Sequence, residues 1–294
     1  MKIAILSTSK LPKFLGEAHP NEESLFGEDD ILSAAFAARG AHAERVPWRP
    51  EGRDWSRFDL VLVRSTWDYI DALPAFLDRL AEIERAGCRL LNPRQTIAWN
   101  ASKAYLAELE QAGVGIVPTA FLAPGQALDG ALARLGPAPG GYVVKPLVGV
   151  GGFGVERAAD PAAVATRLTS GSAIAQPFLE AVAREGEWSF VFGAGRFLYA
   201  ALKTPKSGDF RVQVMYGART LAKVPAPADL AAAQACYRDL PVAAPFARID
   251  MARMEDGRLA LMEAELIEPQ LYFADVPEAA GLVAGAALEV VRAG

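Results

Sequence analysis

Three acidic residues towards the carboxyl end of the chain have types and spacing that suit a metal ion. Residues 248–269 read RIDMARMEDGRLALMEAELIEP, two apolar strands around an Asp256–Gly257 pair that is typical of a two-residue hairpin turn. This turn places Asp250 opposite Glu263, and strand alternation puts Glu265 on the same face. Opposed carboxylates repel unless a cation or proton intervenes, so the pattern predicts Mg²⁺ bound by Asp250, Glu263 and Glu265. A solvated sheet face is the alternative.

A glycine-rich segment, GVGGFG at residues 149–154, follows a predicted strand that carries Lys145. Glycines let backbone N–H groups approach an anion closely, and a strand lysine beside such a loop binds nucleotide phosphates in kinase-like sites. We therefore predict that Lys145, Gly151 and Gly152 bind phosphate. The segment also satisfies G-x-G-x-x-G, but the extended residues VERAAD follow it where a dinucleotide-binding motif needs a helix. An ordinary turn beside an exposed lysine is the other alternative.

Two further regions carry groups that suit an anion or a nucleotide. Residues 174–187 (IAQPFLEAVAREGE) combine a strand end with acidic residues. An exposed extended segment of this kind can offer its backbone to an adenine edge and a carboxylate to ribose hydroxyls. A plain interdomain connection is the alternative. Lys203 and Arg211 lie among predicted strands, where they face either an anion or solvent.

The segment RSTWDY at residues 64–69 follows a buried strand where a bland turn would be expected. Parallel α/β sheets bind ligands at the carboxyl ends of their strands, so the segment is predicted to face a substrate. A loop that caps the next helix is the alternative. The predicted substrate-binding residues are Arg64, Ser65, Thr66, Trp67 and Asp68.

Composition and charge exclude several functional classes. The chain has 294 residues, of which 52% are hydrophobic and 22% charged, so it can bury a sizeable core. The net charge of −5 argues against a nucleic-acid or anionic-membrane partner. Two cysteines and two histidines cannot supply a disulfide framework, a zinc site or a His-rich metal site, so any metal must bind to oxygens. No apolar run is long enough to span a membrane and no signal peptide is evident, so we expect a cytoplasmic protein.

The predicted elements divide the chain into an α/β first third and an α+β remainder. Strands at 2–7, 58–64 and 88–91 alternate with helices at 31–39, 73–86 and about 100–112, which predicts a parallel sheet. Strands dominate 187–224, including FRVQVMY at 210–216, and 246–265 is a hairpin. We predict three units: a substrate domain at 1–113, a small lobe at 114–180, and a lobe at 181–294 that carries the metal site.

The order of these features resembles the ATP-grasp superfamily. It runs from a helix lysine, Lys103, to the strand lysine before the glycine-rich loop, then to a strand-end hinge and an Asp…Glu-x-Glu set. Within the superfamily, the strings RSTWDY, NPRQTIAWNASKAYL, VKP, EGEWSF, GDFRVQ and EAELIEP look like the branch that contains D-cycloserine synthetase, an O-ureidoserine cyclo-ligase. The resemblance covers essentially the whole chain. It implies an ATP-grasp fold with an N-terminal parallel α/β domain and a two-lobed nucleotide cleft.

The resemblance also implies roles for individual residues. Lys103 and Lys145 would contact ATP phosphates. Arg211 would face the transferred phosphate or the acyl intermediate, and Lys203 is predicted to be catalytic beside it. The residues implied at the adenine edge and the ribose are Gln176, Phe178, Leu179 and Glu187. Many members have Glu-x-Asn at the second metal position, where this chain has Glu265; the hard oxygen ligand is retained and the site gains a negative charge.

The implied function is that of an ATP-dependent, ADP-forming C–N ligase. It would activate a small carboxylate as an acyl phosphate for attack by a nitrogen nucleophile, and the branch suggests cyclisation of an amino acid such as O-ureidoserine in antibiotic biosynthesis. One alternative is a catalytically silent sensor of ATP or a metabolite with the same fold. A nicotinamide-dependent oxidoreductase rests on GVGGFG alone. The sequence leaves the substrate and the oligomeric state open, with a homo-oligomer among the states considered.

Overall fold

The first sheet is built from buried parallel strands of the amino-terminal third. The structure, a computed structural model, describes residues 1–8, 11, 25–49, 52–168, 171–213 and 216–293. The strands are β1 (Lys2–Ser7), β2 (His42–Pro47), β3 (Leu60–Ser65) and β4 (Arg89–Leu91), in the order β2-β1-β3-β4. The helices are α1 (Gly27–Ala37) and α2 (Leu73–Arg85), with a 3₁₀ helix at Trp67–Asp71. All three strand pairings are parallel, which confirms the predicted α/β sheet.

Two short helices follow where the sequence predicts one helix at about 100–112. They are α3 (Arg94–Asn100) and α4 (Tyr105–Gln111). The break lies at Lys103, whose backbone N–H donates to the Leu147 carbonyl (2.8 Å) and not to the preceding turn of helix. The break therefore ties Lys103 to the start of the glycine-rich segment.

The second sheet is a small antiparallel one. Its strands are β5 (Ala120–Leu122), β6 (Tyr142–Pro146), β7 (Glu156–Ala158) and β8 (Ala173–Pro177), in the order β5-β8-β6-β7. Its helices are α5 (Leu128–Ala133) and α6 (Pro161–Arg167). The segment GVGGFG connects the antiparallel pair β6 and β7 and opens no helix, so it is not a dinucleotide-binding motif.

The third sheet is antiparallel and carries most of the charged residues of interest. Its strands are β9 (Glu187–Gly193), β10 (Arg196–Thr204), β11 (Arg219–Ala222), β12 (Phe246–Arg253) and β13 (Leu259–Glu265), in the order β11-β10-β9-β12-β13. The remaining helices are α7 (Glu180–Arg184), α8 (Pro227–Arg238) and α9 (Ala279–Arg292). The strand predicted at 210–216 is wrong for its described part, because residues 210–213 form no strand.

Two hydrophobic cores flank the third sheet. On one side, Tyr105, Leu106 and Leu109 of α4 pack among its buried residues. On the other, α9 and α1 pack between it and the first sheet. Residues from the predicted 1–113 unit thus contribute directly to the core of the third sheet, and the division into three units stays a prediction. None of the helices in the described ranges is long and apolar enough to cross a membrane.

The β12–β13 hairpin differs from the predicted hairpin at its turn and at a β-bulge, and these two differences shift the strand register in opposite directions. Its turn has three residues, 255–257, because the Met254 N–H donates to the Arg258 carbonyl and the Gly257 N–H to the Met254 carbonyl. Gly257 has a φ of +83° there, and the predicted two-residue turn is therefore wrong. A β-bulge then leaves Met262 without a pairing partner and shifts the register by one residue. The predicted Asp250–Glu263 pairing is confirmed, although by this different route.

Candidate active site

A cavity of about 410 Å³ lies where the three sheets meet. It takes side chains from the carboxyl end of β3, from β6 and the glycine-rich loop, and from one face of the third sheet. The predicted site residues that line it are Arg64, Ser65, Trp67, Lys103, Lys145, Gly151, Gly152, Gln176, Phe178, Leu179, Glu187, Lys203, Arg211, Asp250, Glu263 and Glu265.

Two residues of the predicted substrate segment point away from this cavity. Thr66 is fully buried and does not line it. The Asp68 carboxylate accepts hydrogen bonds from Trp48 Nε1 (2.6 Å) and from Arg49, which ties the 3₁₀ helix to the segment after β2. The segment RSTWDY therefore contributes Arg64, Ser65 and Trp67 to the cavity, whereas Asp68 ties the segment to the residues after β2.

Glu263 on β13 lies between two lysines from different parts of the chain. Lys145 Nζ on β6 donates to Glu263 Oε1 at 2.7 Å, and Lys103 Nζ lies 3.8 Å from Glu263 Oε2. Burial alone would raise the pKa of Glu263, but the two lysines outweigh it and lower that pKa to about 2. Glu263 is therefore ionised at neutral pH and joins the small sheet to the third sheet.

A second group of ion pairs surrounds Asp250 on β12. Lys203 Nζ lies 3.1 Å from Asp250 Oδ2 and also pairs with Glu187. Arg248 Nη2 donates to Asp250 Oδ2 at 2.9 Å and to Glu265. Burial opposes ionisation of Asp250, yet these two cations hold its pKa well below its usual range. Each carboxylate in the group therefore has a cation beside it.

Glu265 behaves differently from Glu263 although both lie on the same face of β13. Burial, together with the nearby charges of Asp250 and Glu263, raises the pKa of Glu265 to about 7. Arg248 offsets only part of this rise. The carboxyl group of Glu265 is therefore at the margin of ionisation at neutral pH.

The acidic residues have the donor chemistry for a hard cation, but in this structure they face basic side chains. No group of three or more His, Cys, Asp or Glu side chains in the described part of the chain is arranged to hold a metal ion. Asp250, Glu263 and Glu265 nevertheless lie on neighbouring strands of one sheet, and carboxylate oxygens are the ligands that Mg²⁺ prefers. The donor set fits magnesium once the carboxylates turn away from their basic partners.

The glycine-rich loop needs glycine at two positions. A Cβ on Gly152, whose φ is +74°, would lie 2.8 Å from the Gln213 side chain, and one on Gly154, whose φ is +72°, would lie 2.8 Å from Pro146 Cγ. Both conformations are also unfavourable for other residues. A side chain at either position would therefore clash with Gln213 or Pro146 and push the loop out of its present position beside the cavity.

The predicted adenine-side residues and Arg211 also line the cavity. Gln176 Nε2 on β8 donates to Thr119 Oγ1 at 3.0 Å. The Phe178 ring lies 6.1 Å from the Phe210 ring, edge to face. Arg211 pairs with Asp209 and so is oriented by its own loop, not by the cavity carboxylates.

Several cavity residues were not predicted as site residues from the sequence. Arg248 is the central cation of the Asp250 group, and the same pairing arithmetic that predicts Asp250–Glu263 also places it opposite Glu265. Tyr272 has a φ of +58°, unusual for a tyrosine, and lies beside Ser189 and Arg248. No signal in the sequence marks Tyr272.

Two side chains of the segment NPRQTIAWNASKAYL, at residues 92–106, hold the end of β13 in place. Asn100 Nδ2 donates to the Ala264 carbonyl (2.7 Å), and the Leu266 N–H donates to Asn100 Oδ1 (2.9 Å). The Ala264 N–H donates to the Tyr105 hydroxyl (2.8 Å). These bonds hold the backbone on both sides of Glu265.

The segment after β13 is held by the first sheet. Arg64 Nη1 donates to the Pro269 carbonyl at 2.6 Å, and Arg64 Nη2 to Glu28 Oε2 at 3.0 Å. Glu28 in turn accepts from the backbone N–H groups of Leu271 and Phe273. Arg64, predicted to bind substrate, therefore also positions residues 269–273 along the cavity wall.

Comparison with known proteins identifies the family. The family described as D-cycloserine synthetase DcsG, N-terminal domain, matches residues 3–92. The cycloserine biosynthesis protein DcsG of Streptomyces lavendulae is 34% identical over 260 residues, which cover 82% of this chain and 86% of that protein. A crystal structure of D-cycloserine synthetase DcsG superposes with a TM-score of 0.80 and 28% identity, covering 99% of this chain and all of that one.

A more distant structure shares the fold. The D-alanine–D-alanine ligase of Bacillus anthracis complexed with ATP superposes with a TM-score of 0.67 at 16% identity, over 100% of this chain and 99% of that one. The predicted ATP-grasp architecture is confirmed by these superpositions. From the extent of the DcsG match, the chain belongs to the D-cycloserine synthetase (DcsG) family of ATP-grasp ligases.

Proposed function

We propose that the chain is an ADP-forming ligase that activates the carboxylate of a small amino acid with ATP and closes a C–N bond, as in the cyclisation of O-ureidoserine to cycloserine. The observation that carries this is the meeting of Lys145, Glu263 and Asp250 in one cavity, from elements far apart in the chain. Membership of the DcsG family supports the substrate class.

The cations on the cavity wall support a nucleotide polyphosphate as the first substrate. Lys103 and Lys145 both lie beside Glu263, so an anion that binds between them competes with a single carboxylate. The backbone of the glycine-rich loop lies on the same side. We propose that these lysines and Gly151 and Gly152 bind the phosphates, with Gln176, Phe178, Leu179 and Glu187 around the nucleoside.

Magnesium is the metal that the carboxylates would hold. Asp250, Glu263 and Glu265 would bind it, and it would neutralise charge on the phosphates during transfer. Four cations (Lys103, Lys145, Lys203 and Arg248) and four carboxylates (Glu187, Asp250, Glu263 and Glu265) balance in this structure. Lys145 would then exchange Glu263 for a phosphate oxygen without leaving a buried charge unpaired.

The proposed reaction needs no side-chain nucleophile. A substrate carboxylate oxygen attacks the γ-phosphorus of ATP, the bond to the bridging oxygen breaks, and ADP leaves. The substrate nitrogen then attacks the acyl carbon, the C–O bond to phosphate breaks, and the nitrogen loses a proton. We propose that Arg211, Lys203 and Arg248 stabilise the charge that develops on the phosphoryl and acyl oxygens.

The proposed substrate side of the cavity is the wall formed by the first sheet. Arg64, Ser65 and Trp67 line it, opposite the predicted nucleoside residues. A substrate carboxylate between Arg64 and the phosphates would lie near the carboxyl end of β3, where parallel sheets bind ligands.

Release of ADP tests the proposed function. Purified protein with ATP and Mg²⁺ is incubated with O-ureidoserine and with a panel of other amino acids, and the product is analysed by mass spectrometry. We expect ADP formation that depends on O-ureidoserine and yields a cyclised product. A matched control, Glu255→Gln, removes one negative charge at the exposed hairpin turn and should leave turnover unchanged. ATP binding without amino-acid-dependent ADP release would favour the sensor alternative.

A further inference from the structure

Two of the acidic residues that line the cavity, Asp29 and Glu268, have no ion-pair partner among the described residues, and of these two only Glu268 also has a solvent-shielded carboxylate oxygen without a hydrogen bond. Seven acidic side chains line the cavity, and five of them form salt bridges: Glu28, Glu187, Asp250, Glu263 and Glu265. Asp29 accepts a hydrogen bond from Ser65 Oγ. Glu268 forms no salt bridge to any residue in the described ranges, and its Oε2 atom is shielded from solvent without a hydrogen-bond partner.

Glu268 lies on the substrate side of the cavity and outside the Asp250 group. It follows β13 by three residues and immediately precedes Pro269, whose carbonyl is held by Arg64. The nearby Tyr69 side chain, which also lines the cavity, lowers the pKa of the Glu268 carboxyl group. Glu268 therefore lines the cavity between the first sheet and the end of β13, with a half-buried carboxyl group of which one oxygen has no partner.

We propose that Glu268 binds the ammonium group of the amino-acid substrate and so makes the enzyme select an amino acid over a carboxylate that lacks the amine. This rests on the proposed function, because it gives Glu268 the role of binding the substrate's ammonium group, whereas the carboxylate of the same substrate reacts with ATP. A buried carboxylate oxygen without a partner is costly, and an ammonium group supplies both the hydrogen bond and the opposite charge.

The charges around Glu268 agree with this assignment. Burial and the charge of Glu265 together raise its pKa to about 8, against the opposing effects of Arg64, Lys103 and Tyr69. Arg64 is already paired with Glu28, and Lys103 lies beside Glu263. Neither basic group is therefore free to pair with Glu268. The raised pKa leaves its carboxyl group largely protonated at neutral pH in the free protein, so an ammonium group would bind with loss of that proton.

Binding measurements with two probes test the proposal. The probes are O-ureidoserine and the same compound without its amino group, each titrated calorimetrically in the presence of a non-hydrolysable ATP analogue. We expect the wild-type protein to prefer the amino acid by about 10–100-fold, the range of a charge-assisted hydrogen bond. Glu268→Gln should bind both probes equally, with an unchanged affinity for the ATP analogue. Glu268→Asp, which keeps the charge, should retain part of the preference.

The other possible results contradict either the role of Glu268 or the proposed function. If Glu268→Gln weakens both probes by the same factor, the residue has a structural role and the proposal is wrong. If the wild-type protein forms ADP with O-ureidoserine but shows no preference for the amine, the proposal fails while the proposed function stands. If it binds the ATP analogue and neither probe, both fail. Glu255→Gln again provides the charge-matched control at an exposed position.

Discussion

Replacing Glu263 by glutamine separates the two roles that the structure gives this carboxylate. Considered alone, three clustered carboxylates repel, so removal of one would stabilise the protein. Here Glu263 accepts a hydrogen bond from Lys145 and lies 3.8 Å from Lys103. We therefore expect Glu263→Gln to destabilise the metal-free protein as well as to impair turnover.

The magnitude follows from the lowered pKa of Glu263. A value of about 2 against the ordinary 4.5 corresponds to about 3 kcal/mol in favour of the ionised form, at about 1.36 kcal/mol for each tenfold change in proton affinity. Glutamine keeps one hydrogen bond from Lys145, so we expect a net loss of about 1–3 kcal/mol at pH 7. Loss of a metal-binding oxygen should lower kcat by about 10²–10³-fold, which corresponds to about 3–4 kcal/mol.

Chemical denaturation with a chelator present, at several pH values, measures the stability part. Because the folded-state pKa is lowered, the contribution of Glu263 is complete above pH 4.5 and is lost as the pH falls towards 2. The difference between the wild-type and Glu263→Gln proteins should shrink over that window. An unchanged or raised stability of the variant at pH 7 would refute the ion-pair reasoning, and near-normal ADP release would refute the metal assignment.

Three further substitutions test other parts of the cavity. Lys145→Ala should weaken ATP binding by about 10–100-fold in calorimetry, and unchanged affinity would remove this lysine from the phosphate site. Arg64→Lys keeps the charge but loses the paired hydrogen bonds to Pro269 and Glu28 that position residues 269–273, and it should raise KM for the carboxylate substrate but not for ATP; equal rises would argue against a substrate role. Burial raises the pKa of Asp29 to about 6, against the opposing effects of Arg64 and Ser65. As the pH rises from about 4 to 6, the wild-type protein should therefore lose about 2–3 kcal/mol more stability than Asp29→Asn, and equal losses in melting experiments on the two proteins would contradict this assignment.

The elements that the sequence predicts best are those with strong apolar periodicity. The buried runs of β1 and β3 were predicted within two residues of their observed bounds, because both faces of a parallel strand are covered. The polar edge strand β2 (HAERVP) carries no such signal and was missed. The apolar alternation of FRVQVMY suggests a strand, but the Asp209 side chain accepts from the backbone N–H groups of Phe210 and Arg211, and this local bonding competes with a strand.

The sequence predicts which residues belong to the candidate site, but it does not predict which of them form ion pairs with each other. Pairing across the hairpin turn and strand alternation together identify Asp250, Glu263 and Glu265 as neighbours. The partner of Glu263 is 118 residues away on another sheet, and local sequence holds no information about that approach. For the same reason only the structure shows that Glu268 has a carboxylate oxygen without a partner.

Because of the bulge at Met262, the number of residues in the hairpin decides whether the carboxylates of β13 face the cavity. Side chains in a strand change sides with every residue, so an odd change in length between Asp250 and Glu263 would turn both β13 carboxylates out of the cavity. The odd turn and the single bulged residue together restore an even count. Asn100 and Tyr105 anchor the far end of β13, so a deletion in the turn can be absorbed only at the bulge. A relative with a two-residue turn here should therefore have a regular β13, and insertions should be accepted in pairs.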